Sequence, residues 1–135
     1  MGNNFTATLH INIHLKPGVK KHPDDWLVNT VDDIFAKEEF DEYCDIESAL
    51  KSVDCEQFKY NDGNLVDSVS LEYADFHIGG CYESDYDKLV SEIINAIREE
   101  LEKSGATGNV LIAGYDTDRQ PDISASVQVG TIQKP

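Results

Sequence analysis

Three histidines stand where they could bind a metal ion or take part in acid–base chemistry. His10 and His14 fall in one stretch of alternating apolar and polar residues, and His77 falls in another. Residues four apart in a strand share a face but lie about 13 Å apart, whereas the ligands of one zinc ion each lie ~2 Å from it. His10 and His14 therefore do not predict a zinc site unless His77 joins one of them from a neighbouring strand. A small enzyme that uses one of these histidines is one hypothesis for the chain.

A second motif with metal-ligand spacing lies near the C-terminus. Asp116, Asp118, Gln120 and Asp122 repeat the 1, 3, 5, 7 spacing of a calcium-binding loop. The pattern fails at position 6, where such a loop needs glycine and this chain has Pro121. The segment is more typical of a loop between two strands, and we predict neither a metal nor a cofactor.

The cysteines and serines do not form a recognisable catalytic motif. Cys44, Cys55 and Cys81 are odd in number and contain no Cys-x-x-Cys pair, which favours reduced thiols in the cytoplasm. A disulfide between Cys44 and Cys55 is the alternative. No serine or cysteine stands in a nucleophile elbow, so the sequence predicts that the chain is not an enzyme.

Length and charge limit the classes of partner. The 135 residues suffice for one domain, which we place at 1–135. The chain has 26 Asp and Glu against 11 Lys and Arg, a net charge of −15. Because like charges repel, direct binding to nucleic acid or to an anionic membrane is not expected.

The periodicity of apolar residues predicts the elements that position these side chains. Strands are expected at 5–15, 109–115 and 123–132, and a hairpin at 55–60 and 65–78 with a bulge near 73–74. Helices are expected at 23–37 and 84–104, with a second helical stretch continuing from 38 through Ile46, Leu50 and Val53. The order is β-α-(α)-β-β-α-β-β.

Each predicted helix has one apolar stripe, which predicts an α+β fold of two layers. We expect a mainly antiparallel sheet of about five strands, with two to three helices packed on one face. The first strand carries polar residues on its other side, so the second face of the sheet either stays wet or binds something.

The charge pattern suggests an inhibitor. Six of the acids fall within residues 38–47, and others line the solvent side of the two long helices. We therefore predict an acidic protein that mimics nucleic acid and blocks the site of a basic nuclease or nucleic-acid-binding protein, as phage anti-CRISPR, anti-restriction and toxin-immunity proteins do. The residues predicted to bind this partner are Asp25, Trp26, Asp32, Glu38, Glu39, Asp41, Glu42, Tyr43, Asp45, Glu47, Glu92 and Glu99.

An interaction or assembly module is the alternative to the inhibitor. It would act through the polar sheet face or an edge strand, and could form a homodimer. The acidity would then serve only solubility.

Overall fold

The N-terminal alternation forms the central strand of an antiparallel sheet. The computed structural model describes residues 5–59, 62–79, 86–116 and 123–130. Strand β1 (Phe5–Leu15) buries its odd-numbered side chains and presents its even-numbered ones on the opposite face. The alternation of apolar and polar residues in β1 thus gives the strand one packed face and one polar face, as predicted.

The sheet has six strands, in the order β2-β4-β1-β5-β6, with β3 also paired to β4. Strand β4 (Leu65–Ile78) and strand β5 (Thr107–Asp116) lie on either side of β1, and β6 (Ile123–Val129) pairs with β5. The outer edge of β4 pairs with β2 (Cys44–Asp45) and β3 (Leu50–Lys59) at different points along its length.

Three helices cover one face of this sheet. Helix α1 (Pro23–Phe35) and helix α3 (Tyr86–Lys103) bury their apolar stripes against it, and the short α2 (Glu38–Asp41) buries Phe40. Helix α3 ends at Lys103 and is followed by Gly105, whose φ of +76° is a conformation that glycine adopts readily. The α+β architecture predicted from the sequence is confirmed, with six strands in place of about five. No helix in the described part of the chain is long and apolar enough to span a membrane.

The helical stretch predicted through Ile46, Leu50 and Val53 is wrong. The helix ends after Asp41, and the chain then forms β2 and β3 along the outer edge of β4. That edge offers a row of unpaired backbone groups, and hydrogen bonds to it outweigh the weak helical periodicity of this acidic segment.

The bulge predicted near 73–74 is confirmed. The register between β1 and β4 shifts opposite Thr8, where Asp75 has a φ of +58° and its N–H donates a hydrogen bond to Thr8 Oγ1 at 3.3 Å. A bulge adds one residue to one strand and reverses the alternation beyond it. Glu72 and His77 consequently lie on the same face of the sheet, although five positions separate them.

Cys44 and Cys55 are thiols and do not form a disulfide. They pair with Ile78 and Val69, which are nine positions apart on β4. The distance along the strand, roughly 30 Å, is far beyond the reach of a disulfide. Cys81 lies outside the described residues.

Candidate functional site

The sheet face opposite the helices carries mainly polar side chains, and we call it the open face. Its central residues come from alternate positions of β1, β4, β5 and β6, which the register arranges in transverse rows, and β2 and β3 extend the face beyond β4. They include Thr6, Thr8, His10, Asn12, His14, Ser68, Ser70, Glu72, His77, Asn109, Leu111, Ser126 and Gln128.

A histidine and a carboxylate form a pair in the middle of the open face. His10 and Glu72 are register partners on β1 and β4, and His10 Nδ1 lies 3.3 Å from Glu72 Oε2. Their side chains are 41% and 46% exposed. A pair so exposed contributes only about 0–1 kcal/mol to stability, and both side chains are accessible to a ligand. The carboxylate can attract a cation, and the imidazole can hold the carboxylate in place.

Three side-chain amides form a second row beside this pair, and we call it the carboxamide row: Asn12, Asn109 and Gln128. Asn12 pairs with Asn109, and Asn109 pairs with Gln128, so the three stand on adjacent strands. The Ser70 hydroxyl donates to Asn12 Oδ1 at 2.8 Å. The row lies two residues along the strands from the His10–Glu72 pair, about 7 Å away.

A shallow depression of about 650 Å³ opens on the β5–β6 side of this surface. Its lining includes His14, Asn109 and Gln128 together with the apolar Leu111. The volume falls within the range of small-molecule sites, roughly 300–1,000 Å³. A polar ligand with one flat apolar part would match this lining.

The histidines do not converge on a metal site. His77 lies opposite Thr6 on β1, four residues from His10, and Thr6 Oγ1 is 3.5 Å from His77 Nδ1. Among residues 5–59, 62–79, 86–116 and 123–130, no three His, Cys, Asp or Glu side chains are grouped to hold a metal ion. The calcium-like segment begins at Asp116, the last residue of β5, and its remaining positions lie outside the described residues.

Asp32 is half-buried and contacts two residues of the neighbouring strands, and its predicted part in partner binding stays a prediction. It accepts a hydrogen bond from the Tyr73 hydroxyl at 2.7 Å, and Lys51 Nζ lies 3.4 Å from the same oxygen. Burial, followed by the hydrogen bond to Asp32 and its charge, raises the pKa of Tyr73 far above its usual range. Tyr73 therefore stays protonated and does not serve as a base.

Most of the other residues predicted to bind a partner lie on or beside the helices, whereas Asp45 pairs with His77 of the open face. Trp26 is half-buried, with Lys20 Nζ 5.1 Å from its ring centre, and Tyr43 is half-buried with its carbonyl accepting the Gly79 N–H. Part of the acidic run lines a depression of about 480 Å³ that also includes Asp32. The exposed acids are Asp25, Glu38, Glu39, Asp41, Glu42, Asp45, Glu47, Glu92 and Glu99. Their part in partner binding stays a prediction.

The sequence alone points to His10 and His77 but not to Glu72 or the carboxamide row. One signal was present, because asparagine is depleted in strands and yet Asn12 and Asn109 both fall in strand patterns. Only the pairing register shows that these two amides are neighbours, and register is a property of the folded sheet.

Comparison with known proteins identifies a related fold. No protein-family model and no curated protein matches the sequence. The structure is similar to a phage SAM lyase in complex with S-methyl-5′-thioadenosine, with a TM-score of 0.51 and 18% identity, over 94% of this chain and 92% of that chain. A phage SAM lyase in the apo state gives a TM-score of 0.49 and 18% identity, over 93% and 90%. The first of these likenesses shows a shared fold.

The likeness to an enzyme contradicts two predictions from the sequence. The chain was predicted not to be an enzyme, and its function was predicted to be that of an acidic nucleic-acid mimic. The error arose because net charge determines which molecules a protein attracts or repels and does not identify its fold or its site. The predicted basic protein partner and homodimer stay untested predictions.

Proposed function

We propose that this protein is an enzyme that cleaves SAM (S-adenosylmethionine) at a site on the open face. The observation that carries the proposal is the fold shared with a SAM lyase over nearly the full length of both chains. The open face adds a paired carboxylate and imidazole, a row of amides and a depression of about 650 Å³.

The ligand bound to that lyase indicates which bond would break. S-Methyl-5′-thioadenosine keeps the adenosine, the sulfur and the methyl group of SAM, so the bond lost is the one from sulfur to the four-carbon amino-acid fragment. The electron pair of this bond goes to sulfur and neutralises the sulfonium. The fragment then either closes onto its own carboxylate or loses a proton to a base, and neither route consumes water.

Glu72 is the residue we assign to the sulfonium. A carboxylate beside a cationic sulfur stabilises the bound substrate, and His10 at 3.3 Å restricts the directions in which Glu72 points. His10 would also accept the proton if the fragment leaves by elimination.

Under this proposal, the net charge of −15 would attract the substrate. SAM carries a net positive charge, so a strongly acidic protein raises its concentration near the surface. The anti-restriction role expected from the sequence would follow from removal of SAM, on which methyl-transferring enzymes depend, and not from occupation of a nucleic-acid groove.

Product analysis tests the proposal. The purified chain is incubated with SAM labelled in the methyl group, and the products are separated and identified by mass spectrometry, with a protein-free incubation to measure spontaneous decay. We expect labelled S-methyl-5′-thioadenosine to form faster than in the protein-free sample. Equal rates in the two samples would refute the proposal, as would label in a different product.

A further inference from the structure

The carboxamide row is an uncommon feature for the centre of a sheet. Asn12 lies on β1 and Asn109 on β5, both of which have neighbouring strands on both sides, and Gln128 follows on β6. Asparagine is disfavoured in strands, and on an exposed face folding alone would favour threonine or valine. Two adjacent asparagines at paired positions therefore point to a role beyond folding.

The geometry leaves the amides available to a ligand. Adjacent strands are about 4.8 Å apart, so the three amides form a line that one planar molecule can span. Ser70 donates to Asn12 Oδ1, which orients that amide with its N–H groups away from Ser70. Asn109 and Gln128 are exposed and both line the depression on the open face.

The chemistry of a carboxamide matches one edge of adenine. An Asn or Gln side chain carries a donor and an acceptor side by side, and adenine presents its 6-amino donor next to a ring-nitrogen acceptor. Leu111 pairs with His10 one row away and offers the apolar surface that a purine ring needs. The same row contains Glu72, so the sulfur end of the nucleoside would extend toward the charged pair.

We infer that the carboxamide row is a purine subsite that recognises adenine through the amides of Asn109 and Gln128. This inference rests on the proposed function, since it assumes an adenosyl ligand. Beyond that function, the inference names the residues that would distinguish adenine from other bases. The shared fold does not specify these residues.

Calorimetric titration tests the subsite without any turnover. The probes are S-methyl-5′-thioadenosine and its hypoxanthine counterpart, in which an oxygen acceptor replaces the 6-amino donor. We expect the wild-type chain to prefer the adenine compound by about tenfold or more. Asn109→Thr and Gln128→Thr should each reduce that preference by about fivefold or more, because threonine favours strands and lacks the amide. Asn29→Thr on α1 is the matched control and should bind like the wild type.

The outcomes separate the subsite from the proposed reaction. An unchanged preference in both open-face variants would overturn the subsite, even if the chain cleaves SAM. Loss of the preference in both, with no cleavage of SAM by the wild type, would support the subsite and refute the proposed function. Failure of the wild type to bind the adenine compound would overturn the subsite.

Discussion

At the scale of single residues, two acids that look alike in the sequence have different surroundings in the fold. Asp32 accepts a hydrogen bond from the buried Tyr73 and lies near Lys51, whereas Glu72 is paired with His10 on an exposed surface. Asp32 thus links α1 to β3 and β4, while its side chain stays 38% exposed and its part in partner binding stays a prediction. Its position away from the apolar stripe of α1 does not reveal these contacts, because they depend on how α1 packs against the sheet.

Tyr73→Phe tests the role of the Tyr73–Asp32 hydrogen bond. At neutral pH the variant should lose about 1.5–3 kcal/mol of unfolding free energy, the usual contribution of a hydrogen bond to a charged group. The pKa of Tyr73 is raised in the folded chain above its ordinary 10.0, so its ionisation favours the unfolded chain as pH rises above that value. The stability difference between wild type and variant should therefore shrink above pH ~10.

Urea denaturation at neutral pH and at pH ~10.5 measures this difference. Tyr43→Phe serves as the control, since Tyr43 is half-buried beside the acidic run. A difference that stays constant across this pH range would contradict the role assigned to the hydrogen bond.

Gly108→Ala tests the close approach of β1 and β5 beside the carboxamide row. A Cβ at this position would overlap the backbone carbonyl oxygen of Asn12, and Gly108 has a φ of +146°. We expect a loss of at least about 3 kcal/mol in unfolding free energy, from steric overlap added to backbone strain.

Gly18→Ala is the matched control for this variant, because its φ is +83° and no atom lies within 4 Å of the added Cβ. It should lose only about 1–2 kcal/mol, from backbone strain alone. Equal losses of unfolding free energy for the two variants in urea denaturation would contradict a steric cost from the close approach of β1 and β5.

At the scale of elements, the periodicity of apolar residues predicted the helices and strands that bury an apolar face. It failed for residues 46–53, whose structure depends on pairing with the outer edge of β4. The stripe of α1, the end of α3 before Gly105, the hairpin and the bulge all follow from periodicity or turn residues. Strand β3 is exposed along nearly all of its length, so it has no alternation of apolar and polar residues to reveal it. The predicted hairpin includes 55–60, whereas the pairing of residues 50–54 with β4 is a tertiary interaction that the sequence alone does not display.

Asp75→Val tests the bulge that brings Glu72 and His77 to one face. Asp75 has a φ of +58°, which aspartate tolerates and a β-branched residue does not. The variant should lose about 1–2 kcal/mol of unfolding free energy. Asp54→Val on β3 is the control and should be neutral or slightly stabilising, because it places a strand-forming residue in extended backbone. If Asp75→Val were as stable as wild type, the bulge would not hold this backbone conformation.

At the scale of the whole molecule, the charge and the fold give different kinds of information. The net charge of −15 predicts repulsion from nucleic acid, which stays a prediction, and it suggested the wrong mechanism. The two-layer fold could be predicted because each helix has one apolar stripe. The alternation in β1 alone predicts that the open face is polar. Which residues of the other strands lie beside those of β1 depends on the pairing register, and only the structure shows that register.

The salt dependence of stability tests whether this charge acts as mutual repulsion. In residues 5–59, 62–79, 86–116 and 123–130, two lysine–carboxylate ion pairs and one histidine–carboxylate contact are present, so repulsion among the acids should dominate. Raising the ionic strength from ~0.01 M to ~0.15 M shortens the Debye length from about 30 Å to about 8 Å. The urea midpoint should therefore rise, and the rise should be smaller in the double variant Glu38→Gln, Glu39→Gln. A midpoint that falls with salt would show that attractive pairs dominate instead.

The assignment of the open face as the site of SAM cleavage is tested most directly by one substitution and its control. Glu72→Gln removes the carboxylate beside His10 and keeps the shape of the side chain, whereas Glu56→Gln makes the same change on β3, opposite Ser68. The rate of S-methyl-5′-thioadenosine formation should fall by at least about a hundredfold in Glu72→Gln and stay within about twofold of wild type in Glu56→Gln. A Glu72→Gln variant that is folded and as fast as wild type would contradict the account.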